Sequence, residues 1–351
     1  MKDKINMCMV ANGHNFAINL GILITSILIN SNKEDEFCFH IITDNMSDDD
    51  RNKLIQLKEI KKFDIQFYTP DINRIDKYKR WAKEFGIESY WGYSIYLKLE
   101  VIYMLTHLDK VIFLDIDQII LKSMSEIYYT DFDNHYIIAA EHESYIEHYR
   151  EDSYKLFNVK SIEEYKKNKI KLKNKTIEFY KKFKIEHAAF CTGFMCMNLK
   201  SLRNEMTEEY VDNYVQMCID NNVRLYEEYI FFYFIKKDKI KFIDFKYNVS
   251  RAIWLKDEYC NVYIAHYSWG KVFEPSCNFI PKEKNSLLLD GWKYLSMTPW
   301  FKEDPIYFIN IFNQYDKILL EKKIDKVISL ILWLIPIKKI RDKIRNFLAD
   351  Y

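Results

Sequence analysis

The chain has 351 residues, of which 49% are apolar and 29% charged, enough apolar material for a sizeable folded core. Its net charge of +1 argues against a dedicated nucleic-acid binder. The seven cysteines include no C-x-x-C pair, which gives no zinc signal and favours a reducing, cytoplasmic compartment. The apolar run at residues 16–29 follows a strand pattern and lacks a cleavage site, so it indicates a buried helix rather than a signal peptide.

The first third of the chain alternates predicted strands with predicted helices. The strands are predicted at residues 4–11, 37–43 and 64–68. The helices are predicted at residues 16–29, 48–60 and 93–107. Asn15 is a predicted N-cap of the first helix, Ser47 and Asp50 resemble a capping box, and residues 71–92 are predicted to be irregular, with Trp81 and Trp91 half-buried.

The remaining elements continue this alternation. Further strands are predicted at residues 135–140, 190–199, 239–247 and 261–266, and helices at about 200–221 and 225–237. Such alternation indicates an α/β sheet, which binds ligands at the carboxyl ends of its strands. Asn12, Thr43 and Asp115 fall at such ends and are expected to share one rim. We expect one catalytic domain at residues 1–300, with residues 145–187 as a helical insertion near the acceptor.

Two aspartates interrupt the apolar stretch at residues 111–121, which is predicted to be a buried strand. Period-two geometry places Asp115 and Asp117 on one side, with Ile116 opposite. Two carboxylates in an apolar run are costly unless something compensates them, and a divalent cation is the simplest compensation. Oxygen ligands at this spacing suit Mg²⁺ or Mn²⁺, which would hold a diphosphate. The alternative is a strand end where both side chains simply reach water.

Two further places carry side chains with useful chemistry. His266 ends a predicted strand, and its imidazole could complete an Asp/Asp metal site, while Lys271, beyond the flexible Gly270, could neutralise a phosphate. The alternatives are a structural histidine and a solvated lysine. Glu227 and Glu228 begin a predicted helix, where adjacent side chains diverge, so at most one is expected to face a cleft. The local sequence alone favours an exposed acidic helix start.

Four segments, in order, resemble glycosyltransferase family 8, the retaining enzymes that include bacterial lipopolysaccharide galactosyl- and glucosyltransferases and glycogenin. The segments are LDKVIFLDID at 108–117, FCTGFMCMNLK at 190–200, His266-Tyr267, and Trp292-Lys293-Tyr294 followed by Thr298-Pro299-Trp300. The first matches the family's D-x-D segment almost residue for residue, and the resemblance covers residues 5–300. It implies a GT-A type, Rossmann-like nucleotide-sugar-binding fold with a mixed central sheet, plus C-terminal amphipathic helices.

The resemblance also implies roles for individual residues. Asp115, Asp117 and His266 would bind Mn²⁺, or Mg²⁺, bridging the diphosphate of a UDP-sugar. Glu227, Glu228 and Lys271 would be the catalytic residues. The residues implied to line the donor site, besides the metal ligands, are Ala11, Asn12, Lys98, Ile116, Cys191, Thr192, Gly193, Gly270 and Lys271.

The chain departs from the family pattern around the donor. The family usually has Asp where Asn12 stands, Arg at Lys98 and Asn at Cys191, and its D-Q-D segment is replaced by Glu-Glu-Tyr at residues 227–229. A lysine makes a single-point contact where an arginine would make a two-pronged one. These substitutions surround the sugar rather than the metal.

The activity implied by the resemblance is transfer of glucose or galactose from UDP to a hydroxyl of a bacterial surface glycan, such as lipopolysaccharide, lipooligosaccharide or capsule. The nearest enzymatic alternative is a phosphohydrolase with an aspartyl nucleophile, which also places D-x-D at a strand end. A non-enzymatic alternative is a glycan- or membrane-binding protein on a degenerate transferase fold. UDP release with Mn²⁺ would separate the first interpretation from both alternatives.

The segment at residues 301–351 is predicted to associate with the membrane. From Lys317 onward it has nine Lys or Arg against four Asp or Glu, a net +5, while residues 1–316 carry −4. Apolar residues at helical period form a stripe from Ile324 to Ile335, flanked by basic residues after Pro336. The apolar run at 327–337 is 11 residues, against about 20 needed to span a bilayer, so it predicts a peripheral helix on the inner face of the cell membrane. The alternative is a helix packed on the catalytic domain or a dimer contact.

Overall fold

The computed structural model describes residues 3–88, 92–141, 190–223, 225–250, 262–267, 273, 286–314 and 317. Within these ranges the chain forms a mixed α/β fold with a seven-stranded sheet and a separate three-stranded sheet. This confirms the predicted fold class. The insertion predicted at 145–187 and the apolar stripe at 324–335 lie outside the described residues.

The strands are β1 (Ile5–Val10), β2 (Phe37–Ile42), β3 (Asp64–Tyr68), β4 (Lys110–Leu114), β5 (Gln118–Ile120), β6 (Ile137–Ala140), β7 (Phe194–Asn198), β8 (Ile240–Ile243), β9 (Val249–Ser250) and β10 (Ile264–His266). The large sheet has the order β3-β2-β1-β4-β7-β6-β8, and the small sheet has the order β5-β10-β9. Strands β1 to β4 run parallel, whereas β7 runs antiparallel to both neighbours, which makes the large sheet mixed.

The helices are α1 (His14–Ile29), α2 (Asp48–Gln56), α3 (Ile72–Glu84), α4 (Glu100–Met104), α5 (Ser125–Tyr129), α6 (Leu199–Glu205), α7 (Glu208–Asp220), α8 (Glu227–Phe234), α9 (Ser286–Ser296), α10 (Pro299–Glu303) and α11 at residues 305–314. The predicted helix at 93–107 is instead a 3₁₀ helix, Tyr93–Leu99, followed by α4, and the one predicted at 200–221 is divided into α6 and α7. No helix among the described residues is long and apolar enough to cross a membrane.

Helix α1 is buried on nearly all sides, as its continuous apolar sequence predicts. Its predicted N-cap is wrong, because the helix begins at His14 and Asn15 lies inside its first turn. The residue before the helix is Gly13, whose φ of 83° is unfavourable for a residue with a Cβ. In α2, by contrast, the predicted cap is confirmed: the Ser47 hydroxyl accepts a hydrogen bond from the backbone N–H of Asp50.

Residues 71–92 were expected to be irregular, and this prediction is wrong. Asp71 caps α3 by accepting a hydrogen bond from the backbone N–H of Asn73. The helix buries one face at i, i+3, i+6 and i+7, formed by Ile75, Tyr78, Trp81 and Ala82. The many charged residues between these positions hide the apolar period. Trp81 is therefore fully rather than half-buried, and Trp91 lies outside the described residues.

The single strand predicted at residues 111–121 is in fact two strands in two sheets. Strand β4 ends at Leu114, the chain turns through residues 115–117, and β5 pairs antiparallel with β10. The prediction failed because a buried strand and two short buried strands give the same apolar run. The two aspartates consequently lie in the turn that joins the large sheet to the small one.

The large sheet has a hydrophobic cluster on each face. Successive side chains of a strand point to opposite faces, and accordingly alternate residues of its strands belong to different clusters. The C-terminal helices complete one of them. Trp300 of α10 packs so closely on α1 that a Cβ at Gly21 would lie 2.5 Å from its Cζ3 atom. Its indole N–H donates to Asp50 Oδ1 at 2.9 Å, while Phe308 and Ile311 of α11 pack into the same cluster.

Candidate active site

The carboxyl ends of three parallel strands meet on one rim, as expected. Asn12 lies just beyond β1, Thr43 just beyond β2 and Asp115 just beyond β4. The backbone N–H of Ala11 donates to the carbonyl of Ile42 at 3.1 Å, which continues the pairing of β1 and β2 up to the rim. The adjacent strands therefore bring residues far apart in sequence to one edge.

Asp115, Asp117 and His266 form a cluster whose ligand atoms lie within 4.8 Å of one another. The register of β10 on β5 places His266 opposite Gln118, directly beside the aspartate turn. His266 Nε2 is 3.2 Å from Asp117 Oδ1 and 4.0 Å from Asp115 Oδ2. The backbone N–H of Tyr267 donates to the carbonyl of Asp117 at 2.7 Å and fixes the turn against β10.

These three side chains fit a divalent cation. Two carboxylates and an imidazole are a suitable ligand set for Mn²⁺, and the carboxylates also suit Mg²⁺. Gly193 leaves room for the cluster, because a Cβ there would lie 2.5 Å from His266 Cε1 and 3.0 Å from Asp115 Oδ2. The convergence of two carboxylates is unfavourable without a compensating positive charge, which a cation would supply.

The pKa values of this cluster reflect burial and mutual charge. Burial raises the pKa of Asp115; Lys98 opposes this increase, and the Asp117 carboxylate adds to it. Burial alone would lower the pKa of His266, but the Asp117 carboxylate outweighs burial and raises the pKa well above its ordinary value. The charges of the cluster are therefore coupled, as expected where ligands converge.

Lys98 is the buried cation of the site. Its ammonium lies 3.1 Å from Asp115 Oδ1 and 3.0 Å from Glu227 Oε1, and it donates to the Thr192 hydroxyl at 3.0 Å. Burial opposes its charge, but Asp115, Glu227 and Glu228 outweigh burial and raise its pKa above the ordinary value. Lys98 therefore stays charged and joins the aspartate turn to the N-terminus of α8.

The two glutamates at the start of α8 are not an exposed acidic surface, which corrects that expectation. Glu227 is buried against Lys98. The Thr192 hydroxyl lies 3.4 Å from Oε1 of both Glu227 and Glu228, so both carboxylates reach the site although at most one was expected to do so. Consecutive side chains on a helix do diverge, but the Thr192 hydroxyl lies between the two carboxylates and is near both. The prediction failed for this reason.

The remaining predicted donor-site residues lie at different distances from the metal cluster. Cys191 Sγ is 3.9 Å from His266 Nδ1, on the side of the ring away from the aspartates. The side chain of Ile116 packs into the hydrophobic core. Gly270 and Lys271 lie outside the described residues.

Two amide side chains that the sequence did not single out support the cluster. Asn248 Oδ1 is 3.0 Å from His266 Nδ1, and Asn248 Nδ2 donates to the carbonyl of Cys191 at 3.3 Å. Gln118 Nε2 donates to the carbonyl of Gly193 at 3.0 Å and to Asn248 Oδ1 at 3.3 Å. Gln118 could have been found from the sequence, because it directly follows the D-x-D segment. No neighbouring sequence feature identifies Asn248.

A second polar group lies at the ends of β1 and β2. Asn12 Oδ1 accepts from the backbone N–H of Asp44 at 3.1 Å, and the Tyr93 hydroxyl donates to Asp44 Oδ2. Asn12 Nδ2 and Asp44 Oδ1 are buried without a hydrogen-bond partner among the described residues. A buried donor and a buried acceptor are thus available to a polar ligand at this end of the rim.

The family model described as Glycosyl transferase family 8 matches residues 7–272.

Among solved structures, galactosyltransferase LgtC in complex with donor and acceptor sugar analogs is 14% identical at a TM-score of 0.60, over 84% of this chain and 96% of that one. The bifunctional enzyme WbbM is 16% identical at 0.58, over 86% of this chain, which spans only 51% of WbbM. GlyE of Streptococcus pneumoniae TIGR4 is 13% identical at 0.51, over 90% of this chain and 65% of that one. These structures share the GT-A fold of the chain. No curated protein sequence matches it significantly.

Proposed function

The chain belongs to glycosyltransferase family 8, a family of retaining glycosyltransferases, and we propose that it transfers glucose or galactose from a UDP-sugar to a bacterial surface glycan. The acceptor is a hydroxyl of lipopolysaccharide, lipooligosaccharide or capsule, and the reaction requires Mn²⁺ or Mg²⁺. The observation that carries the proposal is the convergence of Asp115, Asp117 and His266 within 4.8 Å at the strand-end rim. Two carboxylates and an imidazole that converge in this way provide ligands for a cation that could hold a diphosphate.

The metal site is proposed to be the diphosphate end of the donor pocket. Asp115, Asp117 and His266 would hold the cation, which as a Lewis acid stabilises the negative charge on the departing UDP. Lys98 opposes the rise that burial causes in the pKa of Asp115 and holds its carboxylate in place through their 3.1 Å contact. Lys271, which the sequence places five residues after His266, is proposed to contact the phosphates.

The opposite end of the rim supports binding of the nucleoside. Asn12 Nδ2 is a buried donor and Asp44 Oδ1 a buried acceptor, neither of them paired within the described chain. Uracil has a ring N–H donor beside carbonyl acceptors. Asp44 Oδ1 could accept from that N–H, and Asn12 Nδ2 could donate to a carbonyl. Ala11, which directly follows β1, is fully buried beside Asn12. We propose that the uridine lies here and the sugar between the metal and α8.

The acidic start of α8 is proposed to face the sugar. Glu227 is held by Lys98 at 3.0 Å, so its charge is already compensated. Glu228 is less buried, and its Oε1 lies 3.4 Å from the Thr192 hydroxyl. A carboxylate next to the anomeric carbon stabilises the positive charge that develops as the bond to UDP breaks. Glu228 is therefore the residue we propose for that role.

We also propose that the C-terminal segment brings the enzyme to the membrane that carries its acceptor. The segment beginning at Lys317 has a net charge of +5. Immediately before it, α11 exposes Ile306 and Ile309, which are 69% and 49% accessible. Apolar residues beside basic ones favour the interface of an anionic bilayer, and a shared surface confines the enzyme and a lipid-linked acceptor.

Mass-spectrometric screening of UDP-sugars with Mn²⁺ tests the proposal. Each donor is incubated without acceptor, and release of UDP is scored against an EDTA-treated control. UDP-glucose or UDP-galactose is expected to be hydrolysed slowly and only with the metal. Phosphate release from small phosphomonoesters with no UDP release would overturn the proposal in favour of a phosphohydrolase, and turnover of neither substrate class would favour a non-catalytic protein.

A further inference from the structure

The metal cluster is backed by a pair of buried amides, Asn248 and Gln118, which the proposed chemistry does not use. Both side chains are buried, and neither is placed among the metal ligands. They lie on the side of the cluster away from the aspartates. Asn248 Oδ1 is 3.0 Å from His266 Nδ1, the ring nitrogen that faces away from the two aspartates. The question is therefore which atoms of these amides are donors and which are acceptors.

The orientation of both amides follows from their other partners. Gln118 Nε2 lies between two oxygens, the carbonyl of Gly193 at 3.0 Å and Asn248 Oδ1 at 3.3 Å, so the NH₂ group must point there. Asn248 Nδ2 donates to the carbonyl of Cys191 at 3.3 Å, which leaves Oδ1 facing Gln118 and His266. Reversing either amide would oppose oxygen to oxygen, so a single arrangement satisfies all four contacts.

An amide oxygen can only accept a hydrogen bond, so His266 must donate from Nδ1. In the neutral imidazole the lone pair then belongs to Nε2, the nitrogen 3.2 Å from Asp117 Oδ1. We infer that Asn248, oriented by Gln118, is a positioning residue that fixes the tautomer and ring direction of His266 and so selects Nε2 as the metal ligand. This inference rests on the proposed metal-dependent function.

The same amides hold together the elements that carry the site. Gln118 is the first residue of β5, and Asn248 immediately precedes β9. In the small sheet β10 lies between these two strands, so His266 is held from both sides. The amides therefore supply the outer contacts that commonly orient a metal-ligating histidine, whose loss typically weakens metal binding about 10- to 100-fold.

Mn²⁺ binding, followed by the EPR signal of free Mn²⁺ at saturating UDP, tests the inference without an activity readout. Asn248→Leu removes the acceptor and is expected to weaken binding about 10- to 100-fold. Asn248→Asp keeps an acceptor for the Nδ1 proton and is expected to restore most of the affinity. Asn19→Leu is the matched control, because Asn19 is another buried amide, which donates to the carbonyls of Asn15 and Phe273. It should bind Mn²⁺ like the parent.

The outcomes separate the inference from the proposed function. If Asn248→Leu is folded and binds Mn²⁺ like the parent, or if Asn248→Asp loses as much affinity as Asn248→Leu, the positioning role is wrong. If Asp117→Asn also binds like the parent, the metal site itself is wrong. Should Asn248→Leu fail to fold, Gln118→Met decides the matter. It leaves His266 untouched but removes the donor that orients Asn248, and parent-like affinity in this variant would overturn the inference.

Discussion

Two groups of charged side chains in the described part of the chain, one around Glu100 and one around Asp115, are assembled differently. Glu100 is fully buried, and each of its oxygens has its own donor. Arg74 Nη1 lies 3.0 Å from Oε2, and the Tyr78 hydroxyl donates to Oε1 at 2.6 Å. Arg74 also pairs with Glu208 of α7, so the group joins three helices. The two carboxylates of this group are therefore matched by one cation, Arg74, that contacts both.

The group around Asp115 brings like charges together instead. Asp115 and Asp117 converge on His266 with ligand atoms within 4.8 Å, and Lys98 contacts only one of these two aspartates, Asp115. Burial raises the pKa of both Glu100 and Asp115, and nearby cations oppose the rise in each case. A second carboxylate adds to the rise in each group, Glu208 beside Glu100 and Asp117 beside Asp115. The groups differ because Arg74 contacts both carboxylates of the first group, whereas Asp115 and Asp117 converge on His266. Buried carboxylates that share one bridging cation thus indicate a packing role. Buried carboxylates that converge on a histidine indicate a binding site for a ligand.

The first prediction removes one member of the converging group. Asp117→Asn is expected to reduce metal-dependent UDP release by about three orders of magnitude, ~4 kcal/mol of barrier, because a metal ligand is lost. The free energy of unfolding should change by less than about 1 kcal/mol, since a residue at the rim carries little core packing. Steady-state kinetics and denaturant unfolding measure the two effects.

His266→Ala should lose metal-dependent turnover to a similar extent, and Asp49→Asn, at an exposed position of α2, is the matched control for loss of a carboxylate. Near-normal turnover of His266→Ala would show that this histidine is structural and that the third ligand is misassigned.

The second prediction breaks the matched group. Glu100→Ala leaves Arg74 and Tyr78 without their buried acceptor and is expected to destabilise the fold by about 3 kcal/mol. Mn²⁺ affinity of the folded protein should be unchanged. Guanidinium unfolding compares it with Glu84→Ala, an exposed glutamate at the end of α3. Equal stability of the two variants would contradict the view that the Glu100 group serves packing.

The third prediction concerns Glu228, which stands where the family usually has Gln. Glu228→Gln is expected to lower the rate of UDP release by one to two orders of magnitude, roughly 1.4–2.7 kcal/mol of barrier, because one negative charge near the sugar is lost. Glu209→Gln changes the corresponding second residue of α7, which is exposed, and should have no effect.

Complete inactivation of Glu228→Gln, together with a glycosyl-enzyme trapped in the parent, would instead identify Glu228 as the nucleophile. Unchanged kinetics would show that Glu228 takes no part in the reaction. The functional group around Asp115 would then consist of the metal ligands alone.

The last prediction leaves both charged groups intact. Truncation after Lys317 is expected to abolish binding to anionic vesicles and to leave donor hydrolysis within about twofold of the parent, since it removes the basic and apolar residues proposed to bind the membrane and none of the proposed site residues. Vesicle co-sedimentation with anionic and with zwitterionic lipid measures the loss. If the truncated protein unfolds, residues 318–351 belong to the core and the membrane proposal fails.

Much of the site could be predicted because its residues follow strands in the sequence. The apolar run with its two aspartates and the histidine at the end of a predicted strand suggested the three ligands but left a solvated strand end and a structural histidine open, and the family resemblance favoured the metal site. Strand ends are local features, and parallel strands bring the ends of β1, β2 and β4 to one rim. His266 reaches the aspartates instead through the antiparallel pairing of β10 with β5. The family resemblance added the order of the segments.

What escaped prediction depends on contacts between distant residues. Asn248 supports His266 only because β9 and β10 pair, and it meets Gln118 across 130 residues of sequence. The resemblance placed Lys98 in the donor site, but its pairing with Asp115 and Glu227 was not predicted, because it depends on how the fold buries this lysine. The turn at residues 115–117 was missed because an apolar run does not show where one sheet ends and another begins.

Thermal unfolding of the parent and of Asp117→Asn with Mn²⁺ and UDP tests the central claim most directly, because it detects the metal–diphosphate complex without any assumption about the sugar or acceptor. Together, and at about 100 times their apparent dissociation constant, the two ligands should raise the melting temperature of the parent by roughly 4 °C. UDP with EDTA should have little effect, and Asp117→Asn should show no combined shift. An equal shift in both proteins, or none in the parent, would contradict the account.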